Sequence, residues 1–451
     1  MPRVPDPDLE PGFPVQALAS AGTFISGPQI HTLVGNIDRE PDLEIVVTGL
    51  ATGPLYAWKH DGKLVPGWPV TRIPGAGYPA LGDLGRMTVP LRVPTAFEVF
   101  SGHTSGEMGA WWGNGAPLKG WPRRASNFVS SPASLTDMDG DARDEIFIGE
   151  ADHCVHGYTA DGTALPGWPV CQHMGDQYRL MPTIADLDGD GIPEMLITAG
   201  TREEPYLFAY HPDGSMASGF PVLLPYPAYL PVVGDVDGDG ELDIVMAMEE
   251  PSQPFHVLVG IHSRAGVLKH VLRPIHDSWS GMAPALADLD ADGFPEIIAG
   301  TDGALDAWKG DGSVFPGWPR VWSESGHWLG DSAAVVGDVD GDGQPDIVIT
   351  TQYAGRSDIG EVHVYDRFGN LHPHFPKVLP IGSGAVPAIA DIDRDGRNEI
   401  IVTGSFWNGF SGMYDKVWVY DLKGTGPYGP VLWGQFMGGP RHQGRYEGPP
   451  Q

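Results

Sequence analysis

Apolar and polar positions fall into one short pattern that returns along the whole chain. A run of small and β-branched residues enters a string of acids and a second apolar run leaves it, as in "VVGDVDGDGELDIVMA" from Val232 to Ala247. Apolar runs of this length, bounded by Gly, Asp and Pro, predict short buried strands rather than helices. The pattern recurs as "TDMDGDARDEIFIG", "ADLDGDGIPEMLIT", "ADLDADGFPEIIAG", "GDVDGDGQPDIVIT" and "ADIDRDGRNEIIVT".

The first polar residue of each loop marks the units: Asn36, Asp83, Asp137, Asp186, Asp235, Asp288, Asp338 and Asp391, at intervals of 47 to 54 residues. Within a unit, a strand such as "PALAD" precedes the loop, "EIIAGT" follows it, then comes "ALDAWKGDG", and "GWP" or "GFP" leads into a last strand. An all-β unit of about 50 residues repeated in this way predicts a β-propeller built from four-stranded blades, with strands A to D running from the axis outward. Eight landmarks predict eight blades. Seven blades with one irregular insertion is the alternative, because two units depart from the pattern. The first keeps Asn36, Asp38, Glu40 and Glu44 but has Pro41 where a glycine is expected, and the second has Gly85, Met87 and Leu91 at acid positions. The expected division is a tail at 1–10, the propeller at 11–435 and a second tail at 436–451. Up-and-down order puts the A–B and C–D loops on one face and the B–C and D–A loops on the other.

The loops read D-x-D-x-D-G-x-x-[DE], a compressed form of the calcium loop of EF-hands. Alternate residues of a tight loop turn their oxygens inward, and several hard oxygens suit calcium. The candidate ligands are Asp137, Asp139, Asp141 and Glu145; Asp186, Asp188, Asp190 and Glu194; Asp235, Asp237, Asp239 and Asp243; Asp288, Asp290, Asp292 and Glu296; Asp338, Asp340, Asp342 and Asp346; and Asp391, Asp393, Asp395 and Glu399. Without a cation these carboxylates repel one another. A solvated acidic turn accounts for one such loop but not for six with one spacing, so about six calcium ions are expected, as structural staples rather than catalysts. The Asp83 unit is expected to bind none and the first unit little.

These repeats resemble FG-GAP (VCBS-type) repeats, the building blocks of the integrin alpha-subunit propeller and of many secreted bacterial proteins. The segment "LWGQFMGGPRHQGRY" resembles the end of the secreted bacterial members, and "PGFPV" at Pro11 matches a D strand ahead of any A strand. In such families an N-terminal strand often completes the last blade, and the resemblance implies the same ring closure here.

Composition narrows the function. A net charge of -31 disfavours nucleic acid and anionic membranes as partners. No run of 18 apolar residues is present, so no helical membrane span is expected. The opening "MPRVPDPDLEPGFPV" has neither the basic nor the apolar region of a secretory leader. Calcium at millimolar level is found outside cells, which points to an extracellular or cell-surface location with a leader left out of this numbering. Cys154 and Cys171 are expected on neighbouring strands, either as a cross-strand disulfide or as two buried thiols. No H-E-x-x-H, G-x-S-x-G, phosphate loop or zinc-type cysteine spacing is found. The face opposite the acids carries groups suited to sugar rings or protein loops: Tyr178, Arg179, Tyr226, Tyr229, His276, Trp279, His327, Trp328 and Trp407. The expectation is a secreted, calcium-stabilised, non-catalytic binding or adhesion module for an extracellular glycan or protein. The alternatives are a lyase-like polysaccharide-active enzyme and a self-assembling structural subunit of an extracellular filament or surface assembly.

Overall fold

The computed structural model describes residues 6–18, 32–48, 54–71, 77–85, 96–103, 105–125, 129, 131–171, 181–250, 256–275, 283–301, 303–322, 327–328, 332–353, 356–379, 386–407, 413–424 and 426–448. Their strands form eight antiparallel sheets, one for each unit. Strands A are Leu33–Gly35, Gly77–Gly82, Ser134–Thr136, Thr183–Ala185, Ala228–Gly234, Ala285–Ala287, Val335–Gly337 and Ala388–Ala390. Each A strand lies beside those of the preceding and following units, and the eighth meets the first, so the sheets close into a ring of eight blades.

Inside a blade, A pairs with B and B with C, as in Ala285–Ala287, Glu296–Thr301 and Ala304–Trp308, with Arg320–Val321 outermost. In the first and third blades strand D is reduced to single bridges, Leu55 to Val70 and Val155 to Val170. The B strands are buried throughout in the third and fifth blades, Glu145–Glu150 and Asp243–Glu249, because a neighbouring blade covers each face. That double burial is why they read as unbroken apolar runs rather than alternating ones. Between the third and fourth blades, Phe147, Trp168, Ile197 and Tyr210 share one apolar cluster.

The "GWP" element joins blade to blade. The indole N–H of Trp68 donates to Gly113 O of the next blade at 2.7 Å, Trp121 to Ala160 O at 2.9 Å, Trp168 to Pro212 O at 2.9 Å and Trp318 to Arg367 O at 2.8 Å. A buried indole N–H needs such a partner. The preceding glycine makes the approach feasible: Gly67 has φ +96°, and a Cβ there would stand 1.9 Å from Asn114 O.

Both chain ends are built into the ring. Val15–Leu18 pairs antiparallel with strand C of the eighth blade, Val15 opposite Val417 and Leu18 opposite Tyr414, and so supplies that blade's D strand. The expected ring closure is therefore present. Residues 6–10, set apart on sequence as a tail, pack here too: Glu10 N donates to Val419 O at 2.9 Å, and Lys377 Nζ lies 2.7 Å from Asp6 and 2.6 Å from Asp8.

The other end winds round the axis. Val431–Trp433 pairs with strand A of the seventh blade, and Gly434 O accepts from Ile389 N of the eighth at 2.8 Å. Gln435 then grips Val34 of the first blade, its Oε1 accepting from the amide at 3.0 Å and its Nε2 donating to the carbonyl at 2.8 Å. Pro440 O, Arg441 O, Gln443 O and Gly444 O accept in turn from Leu81, Leu135, Ile184 and Val233, one inner strand after another from the second blade to the fifth. The segment starting at 436, read as a tail on sequence, thus lies along the inner edge of the ring. Gln435→Leu would strand a buried N–H and a buried C=O, so it is expected to cost about 2 to 5 kcal/mol of unfolding free energy in a urea titration.

Candidate metal centres

Each acidic loop connects strand A to strand B and is folded by its own carboxylates. In the fourth blade Asp186 Oδ1 accepts from Gly189 N and Oδ2 from Gly191 N, both at 2.8 Å. Asp188 accepts from Asp190 N at 3.2 Å, and Asp190 from Ile192 N at 2.7 Å. The fifth and seventh blades repeat this set around Asp235 and Asp338. The sixth position is left-handed and favours glycine, with φ +88° at Gly191 and +83° at Gly240, although in the third blade Ala142 adopts φ +65° there.

The ninth residue closes the loop from the start of strand B. Glu145, Glu194, Glu296 and Glu399 accept from Met138, Leu187, Leu289 and Ile392 at 2.7 to 2.8 Å, and Asp243 and Asp346 accept from Val236 and Val339 at 3.2 and 3.0 Å. All six are buried. Burial first, and then the neighbouring carboxylates, push Glu145 and Glu296 up to about 7, Asp346 to about 8 and Glu399 to about 9. A cation among them would favour the ionised forms.

The first two blades keep the clasp with fewer acids. Glu44 accepts from Ile37 N at 2.8 Å. In the second blade, counting from Asp83 puts Leu91 at the ninth position, but the structure gives that role to Glu98, which takes both Leu84 N and Gly85 N at 2.7 Å. The correction has a simple cause: this loop is longer, so a count made on the other loops falls short of its clasp. Met87 and Leu91 lie outside the described residues. A glutamate immediately before the apolar run "VFSG" was the available signal.

The residues fit a calcium ion. Carboxylate oxygens lie within 4.8 Å of one another in the groups Asp137, Asp139, Glu145; Asp186, Asp188, Glu194; Asp235, Asp237, Asp239; and Asp288, Asp290, Glu296. Oxygens left over by the loop hydrogen bonds include the buried Asp290 Oδ1 and Asp391 Oδ1, neither with a hydrogen-bond partner. An all-oxygen donor set with several anionic members is the chemistry of calcium sites. A further cluster, Asp152, Cys154 and His156, differs because Cys154 is in a disulfide with Cys171 and offers no thiolate.

Tyr178, Arg179, His276 and Trp279 lie outside the described residues. Tyr226 and Tyr229 are half-buried and pack against the apolar core, and Tyr229 Oη donates to Glu249 Oε2 at 3.0 Å, where Arg202 also pairs. His327–Trp328 forms a short strand beside Gln352 and Tyr353, and Trp407 ends the long B strand of the eighth blade opposite Met413. Tyr229 belongs to the fifth blade, His327 and Trp328 to the seventh and Trp407 to the eighth. Sequence reasoning missed a cavity of about 290 Å³ on the axis, lined by Phe97, Trp433, Met437, Arg441, Gln443 and Arg445 among others. Arg441 is anchored there by Asp144 Oδ2 at 2.8 Å, which also accepts from Asp83 N at 2.7 Å.

A family model described as an FG-GAP-like repeat matches residues 186–246 and 288–349, which run from the fourth loop through the fifth and from the sixth loop through the seventh. The chain carries FG-GAP-like repeats. No curated protein matches it by sequence. Among solved structures, the Dos1 propeller is similar at TM-score 0.55 and 9% identity, over 90% of this chain and 96% of that one. Saccharomyces cerevisiae Sqt1 is similar at TM-score 0.53 and 11% identity, over 89% and 99%. The V. cholerae biofilm matrix protein Bap1 gives TM-score 0.47 and 13% identity over 95% and 94%. At such identities the likeness concerns the fold alone. Within the FG-GAP-like unit the ninth-position clasp is a hydrogen bond that the chain makes with itself, and the second blade, which lacks acids at the third and fifth positions, isolates that role. Glu98→Ala is expected to lower unfolding free energy by about 2 to 4 kcal/mol, equally in calcium and in chelator, in paired denaturant titrations.

Proposed function

We propose that this protein is a calcium-stabilised, non-catalytic binding propeller that works outside the cell and presents its B–C and D–A loops to a glycan or protein ligand. The observation that carries the reading is the convergence of carboxylate oxygens in repeated A–B loops, with buried oxygens left over after the loop's own amides are satisfied. Magnitude favours a structural role for the ion. With a dissociation constant of ~0.1 mM and calcium at ~2 mM, each filled loop contributes about 1.8 kcal/mol, a sizeable part of the stability of an ordinary domain. The Cys154–Cys171 disulfide supports an oxidising compartment.

Calcium would be held by the acids at positions one, three, five and nine of a loop, and it supplies positive charge that relieves their repulsion. Binding of a ligand is assigned to the other face because the acidic loops are committed to holding strand B against strand A. Two measurements test the reading. Chelation is expected to lower the melting temperature by about 10 °C or more, with calcium restoring it and magnesium doing so poorly, since magnesium resists giving up its waters to a protein cage. An unchanged melting curve refutes the calcium part. A glycan and protein array run beside a polysaccharide turnover assay is expected to give retention without product, and turnover would transfer the protein to the enzymes.

A further inference from the structure

We propose that three lysines act as resident cations of their own loops, so that calcium enters the loops of the third, fourth, seventh and eighth blades and is kept out of those of the first, fifth and sixth. The inference rests on the calcium reading above and divides the loops that sequence treats as equivalent.

In the fifth blade Lys269, on the outermost strand Leu268–Leu272, reaches over the loop with its ammonium 2.6 Å from Asp243 Oδ1, 2.8 Å from Asp237 Oδ2 and 3.1 Å from Asp239 Oδ2. These are the oxygens that the loop leaves over. The other oxygen of each of these acids already accepts an amide, from Val236, Asp239 and Glu241 respectively. In the sixth blade Lys309, directly after strand C, makes the same arrangement from another direction, 2.7 Å from Asp290 Oδ2, 3.1 Å from Asp292 Oδ2 and 3.4 Å from Glu296 Oε1. Here too Asp292 Oδ1 and Glu296 Oε2 are taken by Phe294 N and Leu289 N. Lys59 occupies the place of Lys309 in the first blade and pairs with Asp38 at 3.0 Å and with Glu40. Two different positions in the blade thus converge on one solution.

The second blade shows that the position after strand C looks into the loop. Trp112 stands there, and its ring edge lies 2.4 Å from where a Cβ on Gly85 would be. Where the acids are missing, an indole fills the space. In the other four blades no lysine or tryptophan stands after strand C. Their residues at this position are Thr159, His211, Asp366 and Asp421. Among the described residues no lysine or arginine pairs with Asp137, Asp139, Glu145, Asp186, Asp188, Asp338, Asp346, Asp391 or Glu399. His211 approaches Glu194 at 3.3 Å, and Arg397 pairs with Asp395, the fifth-position acid of the eighth loop, and with the buried Asp421.

An ammonium on a short tether competes at high effective concentration and brings its charge without leaving solvent entirely. Calcium needs six to eight oxygens and would have to expel it. The test is calcium stoichiometry by equilibrium dialysis, on the whole chain and on Lys269→Met/Lys309→Met, together with a calcium-grown crystal of the unaltered chain. The expected result is four ions per chain, six in the double variant, and ions in the crystal only in the third, fourth, seventh and eighth loops. In chelator the double variant should melt below the parent, and calcium should close the gap. Six ions in the parent, with density in the fifth and sixth loops and the lysines displaced, overturns the inference and leaves the calcium reading standing. Ions in neither protein overturns both. If the double variant does not fold, the crystal of the parent decides by itself.

Discussion

A closed ring of sheets has an inner rim, and the hydrogen-bonding groups of that rim set the terms for the rest of the molecule. Each blade begins with a short strand whose far edge faces the axis. Left alone, such edges would hold unpaired amides in a narrow channel. Here they are answered by one extended segment, which bonds to the innermost strands of the seventh, eighth and first blades and then of the second to the fifth. Gln435 shows how close the match is, since its side-chain amide does for Val34 what a strand would do. The same segment lines the axial cavity.

Around this rim, two kinds of joint hold the blades. The tryptophan joints use a neutral donor and a glycine without a side chain, and they work without any ion. The carboxylate loops combine two tasks in one residue. One oxygen of the ninth acid clasps the turn, and the second is free to meet a cation. The clasp survives in the first two blades, where the full acid set has been lost, so it is the older necessity in physical terms: a strand pair needs its loop closed whether or not charge is collected there. Lysine, indole and metal are then three ways to treat the space that remains.

Much of this was legible in the chain. Period, apolar runs, acid spacing and the "GWP" element identified the blades and their order, because each is a local pattern repeated many times. The N-terminal strand was legible as "PGFPV", a D strand out of place. Three things were not. Glu98 was hidden by a loop longer than its relatives. The lysines were hidden because Lys269 reaches its loop from the outermost strand while Lys59 and Lys309 reach theirs from just after strand C, so no single spacing marks all three. The path of residues 431–446 was hidden because it is an irregular segment, broken by the 3-10 turn Phe436–Gly438, with no periodicity of its own, and its partners lie in blades far away along the chain. The ligand face was the least legible: its tyrosines and tryptophans sit in loops of differing length, and the tyrosines that are described turn out to be half-buried packing residues.

The inner segment also has a consequence in time. Gln435 meets Val34 across 401 residues of sequence, and Val15 meets Val417 at the opposite edge of a blade. Every rim contact waits for the part of the chain made after the blades, while the strand made before them waits for the eighth. A partly synthesised chain can therefore build blades but cannot finish the ring, and its inner edges stay open to whatever else is nearby. Such long-range closure is slow by its topology, and it makes the eight repeats a single cooperative body rather than a string of separable modules, in contrast to open solenoids whose ends can grow or be trimmed.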